Sequence, residues 1–484
     1  FKQVRVGVMQ DTNNMQMPWE NTSLTGDFYF HRATAKASAA PSSTTVTLSS
    51  NAEPAVSSRS LAVLLPIQMF HGYQPQVKVQ APSIRAMQLL PERKQILLTS
   101  DDETVRSLDM ESGATLATIG GLTQVRIDPT SQRLAGIIAG GKSDVIRIAD
   151  TATGKVIATI PMDEGRFVRE LVFSPSGKTL VANINAKELV VIDALSGRIR
   201  DWPGFGSGAP AFLVSPDSGY LLTWGNTESN IRVYSIKEDG FAAGIEHVWT
   251  FRKHWKPLTH VYFSPNGSVV SRSADNEAFV WQPTDADKYL PLNLAKSEPL
   301  AALAFSRDGN IVVSRSVNGS LALFDMQTAQ RRNDFQPNLE AETFVIGADE
   351  KMVLATTANK RLNGIDVATG GVKFSVVDAS IKGMAPGGKT FLSEEAGRLL
   401  LRKMQDGSVV ADLASQKAVF AGAGEQFFST SDDGLIKTWN FNTGEQVESF
   451  RAHQGAAIRN LVAPGDGQKL LTYDKDGMLK VWAF

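Results

Sequence analysis

No cysteine occurs anywhere in the 484 residues. That absence removes disulfides, thiolate zinc sites, iron–sulfur ligation, thioether haem attachment and any cysteine nucleophile from this chain. It is compatible with a reducing cytoplasm, where the protein is expected to reside. Histidine is scarce as well: the 6 present are scattered, and no pair has metal-ligand spacing on one element, so neither a metal nor a cofactor is expected. Charge of one sign is also missing. Lys+Arg number 49 against 50 Asp+Glu, a net charge of -1, and no basic stripe interleaved with aromatics appears, which argues against a nucleic-acid surface. The purely apolar runs, such as Leu61 to Ile67, are far short of the ~20 residues of a membrane-crossing helix, so no membrane partner is expected.

The chain does contain enough apolar residues to bury a core, 42% against 20% charged, and they recur with a period. From Ile84 to Phe484 a unit of roughly 40 residues repeats, the length of a four-stranded propeller blade. A turn of the form Phe-Ser-Pro-x-Gly recurs as Phe173 to Gly177 and Phe263 to Gly267, with variants at Val214 to Asp217 and Phe305 to Gly309. A large residue before Asp or Asn closes a later strand as Leu108-Asp109, Ile192-Asp193, Phe324-Asp325, Ile365-Asp366 and Trp439-Asn440. Units starting near 84, 120, 165, 205, 254, 296, 337, 378, 415 and 452 make the expected fold all-β, a propeller of about ten blade-like units. The chain stops directly after the third strand of its last unit, so either Leu61 to Phe70 or Gln76 to Gln80 is expected to supply the missing fourth strand.

Within one unit the polar residues are spaced for a buried chain of hydrogen bonds. His254 lies nine residues before Phe263, while Ser273 and Asp275 stand eight and six residues before Trp281. This pattern resembles a WD-repeat blade. In such a chain the Trp281 indole would donate to Ser273, Ser273 would engage His254, and His254 would donate to Asp275. Ser, His and Asp also suggest a hydrolase triad, but a nucleophile must lie open in a cleft beside an oxyanion hole, so no catalytic residue is assigned in this chain. The last unit repeats the pattern with His453, Asp476 and Trp482, Asp474 standing in the serine position; the unit before it has Ser431, Asp433 and Trp439 without a histidine. Units near Ala186 and Ala396 have lost the central polar residue.

Two glycine-rich stretches imitate nucleotide sites. Gly383 to Thr390 fits G-x-x-x-x-G-K-[ST] letter for letter, but a phosphate loop needs a helix after it, and Phe391-Leu392-Ser393 continues as strand. Gly204 to Gly208 opens no helix either and reads as a loop between blades. The segment Trp249 to Trp255 gathers Trp249, Arg252, Lys253 and Trp255 around His254, residue types enriched at binding hot spots, and is the candidate surface for a protein or peptide partner on the propeller face.

Residues 1–30 have a different character. Gln16-Met17-Pro18-Trp19, Ser23-Leu24-Thr25-Gly26 and Phe28-Tyr29-Phe30 resemble the C-terminal end of the caspase-like domain of bacterial caspase-family (metacaspase-related) cysteine proteases. The resemblance covers about thirty residues and implies that the catalytic His and Cys lie upstream of Phe1, that the whole protein hydrolyses peptide bonds, and that an upstream protease domain or subunit is a partner. Residues 31–60, almost wholly Ala, Ser, Thr, Pro and Val, cannot bury enough surface to order themselves and form a linker; residues 61–484 form the propeller. The expected function is a protein-binding or regulatory WD-repeat propeller attached to a caspase-like protease. A stand-alone WD-repeat scaffold is the alternative.

Overall fold

In the computed structural model the structure describes residues 75–484, apart from 82, 91–92, 202–209, 239–243, 295–298, 336–338, 416, 421–424, 464–468 and 484. The caspase-like segment, the linker, Leu61 to Phe70 and the Gly204 to Gly208 loop therefore lie outside the described residues. The rest is ten antiparallel sheets of four strands each. Blades 1 to 9 open at Ile84, Thr123, Val168, Pro210, Leu258, Leu300, Ala341, Ala379 and Lys417, and blade 10 at Ile458.

Each blade is a meander of consecutive strands except the last, where Val77–Gln80 from the start of the chain pairs antiparallel with Met478–Ala483, Val77 opposite Val481 and Gln80 opposite Met478. The missing fourth strand thus comes from Val77–Gln80. It ties the first described residues to the last and leaves no blade short.

A sheet that is apolar on both faces must be covered on both, and here each blade is covered by its two neighbours. One buried cluster lies at every one of the ten junctions. At the closing junction Val77, Leu479 and Val481 of blade 10 meet Met87, Ile96 and Leu98 of blade 1. Blades 4 and 5 meet through Leu222, Trp224 and Val233 on one side and Val261, Phe263 and Trp281 on the other. The ring is closed by the same apolar packing that stacks any two blades. First strands of neighbouring blades touch, Thr123–Ile127 against Val168–Phe173 and Ile84–Leu90 against Ile458–Val462, and so line the inside. The fourth strands carry the scattered exposed Leu116, Val156, Val409 and Val447 and form the outside.

The recurring Asp at the end of the third strand has a local reason. Its carboxylate accepts the backbone N–H groups of the turn that follows: Asp109 Oδ1 takes Glu111 and Ser112 at 3.1 and 2.7 Å, and Asp150 Oδ1 takes Ala152 and Thr153 at 3.0 and 2.8 Å. Asp193, Asp325 and Asn440 do the same. Four residues after this Asp or Asn the chain needs positive φ, which Gly113, Gly154, Gly197, Gly370 and Gly444 supply at +67 to +74°. This turn sends the chain out to the fourth strand in blades 1, 2, 3, 6, 7 and 9. A further tie joins blades 3 and 4: Glu238 Oε1 accepts the hydroxyls of Ser174, Ser176 and Thr179 at 3.0, 2.6 and 3.0 Å.

Candidate functional site

Blade 5 carries the polar chain that the spacing of His254, Ser273, Asp275 and Trp281 implies, but its links differ. The Trp281 indole N–H donates to Ser271 Oγ at 3.0 Å, not to Ser273. Ser271 Oγ lies 2.8 Å from His254 Nε2, His254 Nδ1 lies 3.0 Å from Ser273 Oγ, and Ser273 Oγ donates to Asp275 Oδ1 at 2.5 Å. Ser273, rather than His254, therefore meets the carboxylate. Alternation along the strand explains the missed residue: Ser271 and Ser273 share one face of Val269–Ser273, and Val269, two residues further back, is the partner directly opposite Trp281. The shorter reach from the indole is to Ser271.

These distances fix the proton positions. Ser273 gives its proton to Asp275, so His254 Nδ1 must be the donor to Ser273; Nε2 is then the acceptor, and Ser271 gives its proton to Nε2 while taking one from Trp281. Every polar group in the chain is satisfied with the imidazole neutral. Burial, His254 being 3% exposed, pushes its pKa down to about 4, a shift that the charge of Asp275 only partly opposes. Asp275 sits at the surface end and is held below the usual carboxylate range chiefly by the Ser273 hydroxyl. Ser273 is fully buried, so its hydroxyl has no route to a substrate. The aromatic side of the site is equally packed: Phe251 stacks on Trp281 with ring centroids 4.5 Å apart.

Blade 10 repeats the chain with different residues. Trp482 Nε1 donates to Thr472 Oγ1 at 3.0 Å, Thr472 Oγ1 lies 2.7 Å from His453 Nε2, and His453 Nδ1 meets Asp474 Oδ2 at 2.6 Å. Asp474 replaces both Ser273 and the carboxylate beyond it. Asp476, assigned to the network from its spacing, is exposed; its backbone N–H caps Asp474 Oδ1 at 2.9 Å, and its carboxylate is not part of the chain. His453 is lowered from its ordinary value by burial first and by Lys480 second. In blade 9 the two ends exist unjoined: Trp439 Nε1 donates to Ser429 Oγ at 2.8 Å and Ser431 donates to Asp433, with no histidine between them.

Above the blade 5 chain lies the loop from Arg252 to Pro257, and the structure divides the residues grouped there. Trp249 is not on the free surface. It is half-buried, with its indole N–H donated to the Pro283 carbonyl at 2.9 Å and its ring edge-on to Trp281 at 5.4 Å, so it belongs to the packing between blades 4 and 5. Lys253 lays its ammonium over the Tyr289 ring, 4.4 Å from the centroid. Arg252 is exposed, and Trp255 is 84% exposed. The Gly383 to Thr390 stretch is a hairpin turn, with Met384 paired antiparallel with Phe391 and Ala385 N bonded to the Thr390 carbonyl, so no helix follows to hold a phosphate. Among the described residues no helix is long and apolar enough to cross a membrane.

Residues 245–282 and 444–483 match the family described as WD domain, G-beta repeat. Each segment ends at or next to the tryptophan of a complete histidine chain, in blade 5 and in blade 10. The mouse Pre-mRNA-processing factor 17 is 21% identical over 307 residues, covering 59% of this chain and 52% of that protein. The Drosophila melanogaster WD repeat-containing protein 26 homolog is 22% identical over 261 residues, covering 49% of this chain and 40% of that protein. The chain spans about half the length, or less, of these curated relatives. A crystal structure of a eukaryotic initiation factor superposes with a TM-score of 0.50 at 12% identity, covering 78% of this chain and 90% of that chain, a likeness of fold alone. The chain carries WD repeats in an all-β, ten-bladed propeller.

Proposed function

We propose that this ring is a protein-binding, regulatory platform and that residues 1–30 attach it to a caspase-like cysteine protease whose catalytic residues are encoded upstream of Phe1. The observation that carries the binding half is the sealed histidine chain of blade 5: its hydroxyls are buried beyond substrate reach, and its effect is to hold a surface loop still. Rigid scaffolds with loops at their ends bind through those loops. The protease half rests on Gln16 to Phe30 and its resemblance to the end of a caspase-like domain.

The gene product containing this chain and everything encoded before it is the test. A His-Gly motif and a Cys-bearing strand end upstream, with hydrolysis of a fluorogenic peptide after Arg or Lys, is the expected result; an upstream region without them, and no hydrolysis, would remove the protease half. A stand-alone WD-repeat scaffold is then the reading that remains. It is favoured by the relatives, whose descriptions name a pre-mRNA-processing factor and a WD repeat-containing protein.

A further inference from the structure

Resting on the platform reading, we infer that the loop Arg252 to Pro257 is the docking point of the ring and that its occupant is an acidic peptide segment, anchored on Trp255 by an apolar or proline side chain. Among the described residues Trp255 is the most exposed large apolar side chain, at 84%, with Val317 next at 66%. A solvated indole on a floppy loop would mean little. This loop is not floppy.

Its middle is pinned from beneath by His254, whose two ring nitrogens meet Ser271 and Ser273. Its far end is tied on both sides: Ala274 N donates to the Pro257 carbonyl at 2.9 Å, and Leu258 N to the Glu228 carbonyl of blade 4 at 2.8 Å. Lys253 is parked on Tyr289. Because His254 points into the blade, the next side chain is turned outward, and Trp255 is presented already ordered. Ordering that is complete before binding need not be supplied by the partner, which is why rigid aromatic residues make efficient anchors.

The charge around the indole sets the partner. Arg252, Lys253 and Lys256, all exposed, flank it within five residues that contain no carboxylate. Of the carboxylates in the adjoining turns, Asp275 accepts from Ser273 and Glu228 pairs with Arg232 at 2.8 Å, which leaves the exposed Glu277 against the three cations of the loop. An extended peptide carrying Asp or Glu beside a proline or an aromatic residue matches this surface, its ring or pyrrolidine against the indole and its carboxylates toward the guanidinium and ammonium groups. A single indole is a poor membrane anchor, since interfacial binding grows with the apolar area buried and needs a whole face of such residues.

Selection of a random 12-residue phage-displayed library on the immobilised full chain, read against three variants, tests this. Enriched peptides should be acidic and carry proline or an aromatic residue. Their synthetic versions should bind at least tenfold more weakly to Trp255→Ala and to Arg252→Glu/Lys256→Glu, and should weaken further as salt is raised. Trp249→Phe, which disturbs the packing behind the loop without touching the indole in front, should keep the affinity within about twofold if its melting temperature is unchanged. Enriched peptides that bind Trp255→Ala as well as the parent would overturn the site while leaving the platform reading intact. A failure to enrich any peptide would count against both. Trp255-dependent binding to phosphatidylserine vesicles, with no peptide enriched, would replace the peptide by a membrane surface.

Discussion

Acid should loosen blade 5 through one histidine, and the size of the effect follows from its surroundings. His254 is neutral in the folded blade, donating from Nδ1 and accepting at Nε2, and burial pushes its pKa down from 6.5 to about 4. Above pH 6.5 the imidazole is neutral in both the folded and the unfolded chain, so its contribution is full and constant. Between pH 6.5 and 4 the unfolded chain takes up the proton while the folded blade refuses it, and stability falls as pH falls. Below pH 4 both forms are protonated and the loss is complete. At ~1.4 kcal/mol per pH interval, the whole loss is about 3 kcal/mol. A proton on Nε2 would face Ser271 Oγ–H, turn that hydroxyl away and leave the chain with two donors in opposition.

The measurement is denaturant unfolding of the parent and of His254→Gln from pH 7 to pH 4, followed by tryptophan fluorescence. His453 and the carboxylates other than Asp275, which senses the His254 charge, titrate alike in both proteins and cancel in the difference. The stability advantage of the parent should shrink by about 3 kcal/mol over this range. A difference that stays flat with pH would refute the neutral, buried assignment of His254; one that grows as pH falls would mean the ring is held as imidazolium.

Ser271→Ala should cost about 1–3 kcal/mol, because it strands both the Trp281 N–H and His254 Nε2 in the interior, whereas Asp275→Ala should cost about 1 kcal/mol or less, its carboxylate being exposed and accepting chiefly from Ser273; chemical unfolding at pH 7 gives the order, and the reverse order would show that the chain runs through Asp275. Ala186 follows Asn185 in the three-residue turn from Asn185 to Lys187, with φ of 53 and 52°, so Ala186→Gly should stabilise by about 0.5–1 kcal/mol where an ordinary strand glycine would destabilise, as unfolding midpoints would reveal. Lys389→Ala should leave titrations with ATP and magnesium as featureless as those of the parent; a micromolar signal abolished by the substitution would contradict the hairpin at Met384 to Phe391.

The blade count, the position of the tight turns and most polar residues of the two complete WD units were legible in the sequence, because each is a local matter; Ser271 and Thr472, which accept from the two indoles, were not. A turn needs its Asp and its Gly within a few residues, and a strand shows its alternation in a window of six. The sequence also placed the closing strand within two candidates. It could not choose the hydrogen-bond partners inside the chain. Whether Trp281 meets Ser271 or Ser273, and whether Asp474 or Asp476 meets His453, depends on how far a side chain reaches across the sheet, and spacing along one strand does not contain that distance. Nor could it separate Trp249 from Trp255: six residues apart in the same basic stretch, they differ because one falls against Trp281 and Pro283 of the next blade while the other follows a residue whose side chain the blade has drawn inward. Closure of the ring itself is tertiary. Val77 and Val481 are four hundred residues apart, and only the packing of blade 10 between blades 9 and 1 brings them together.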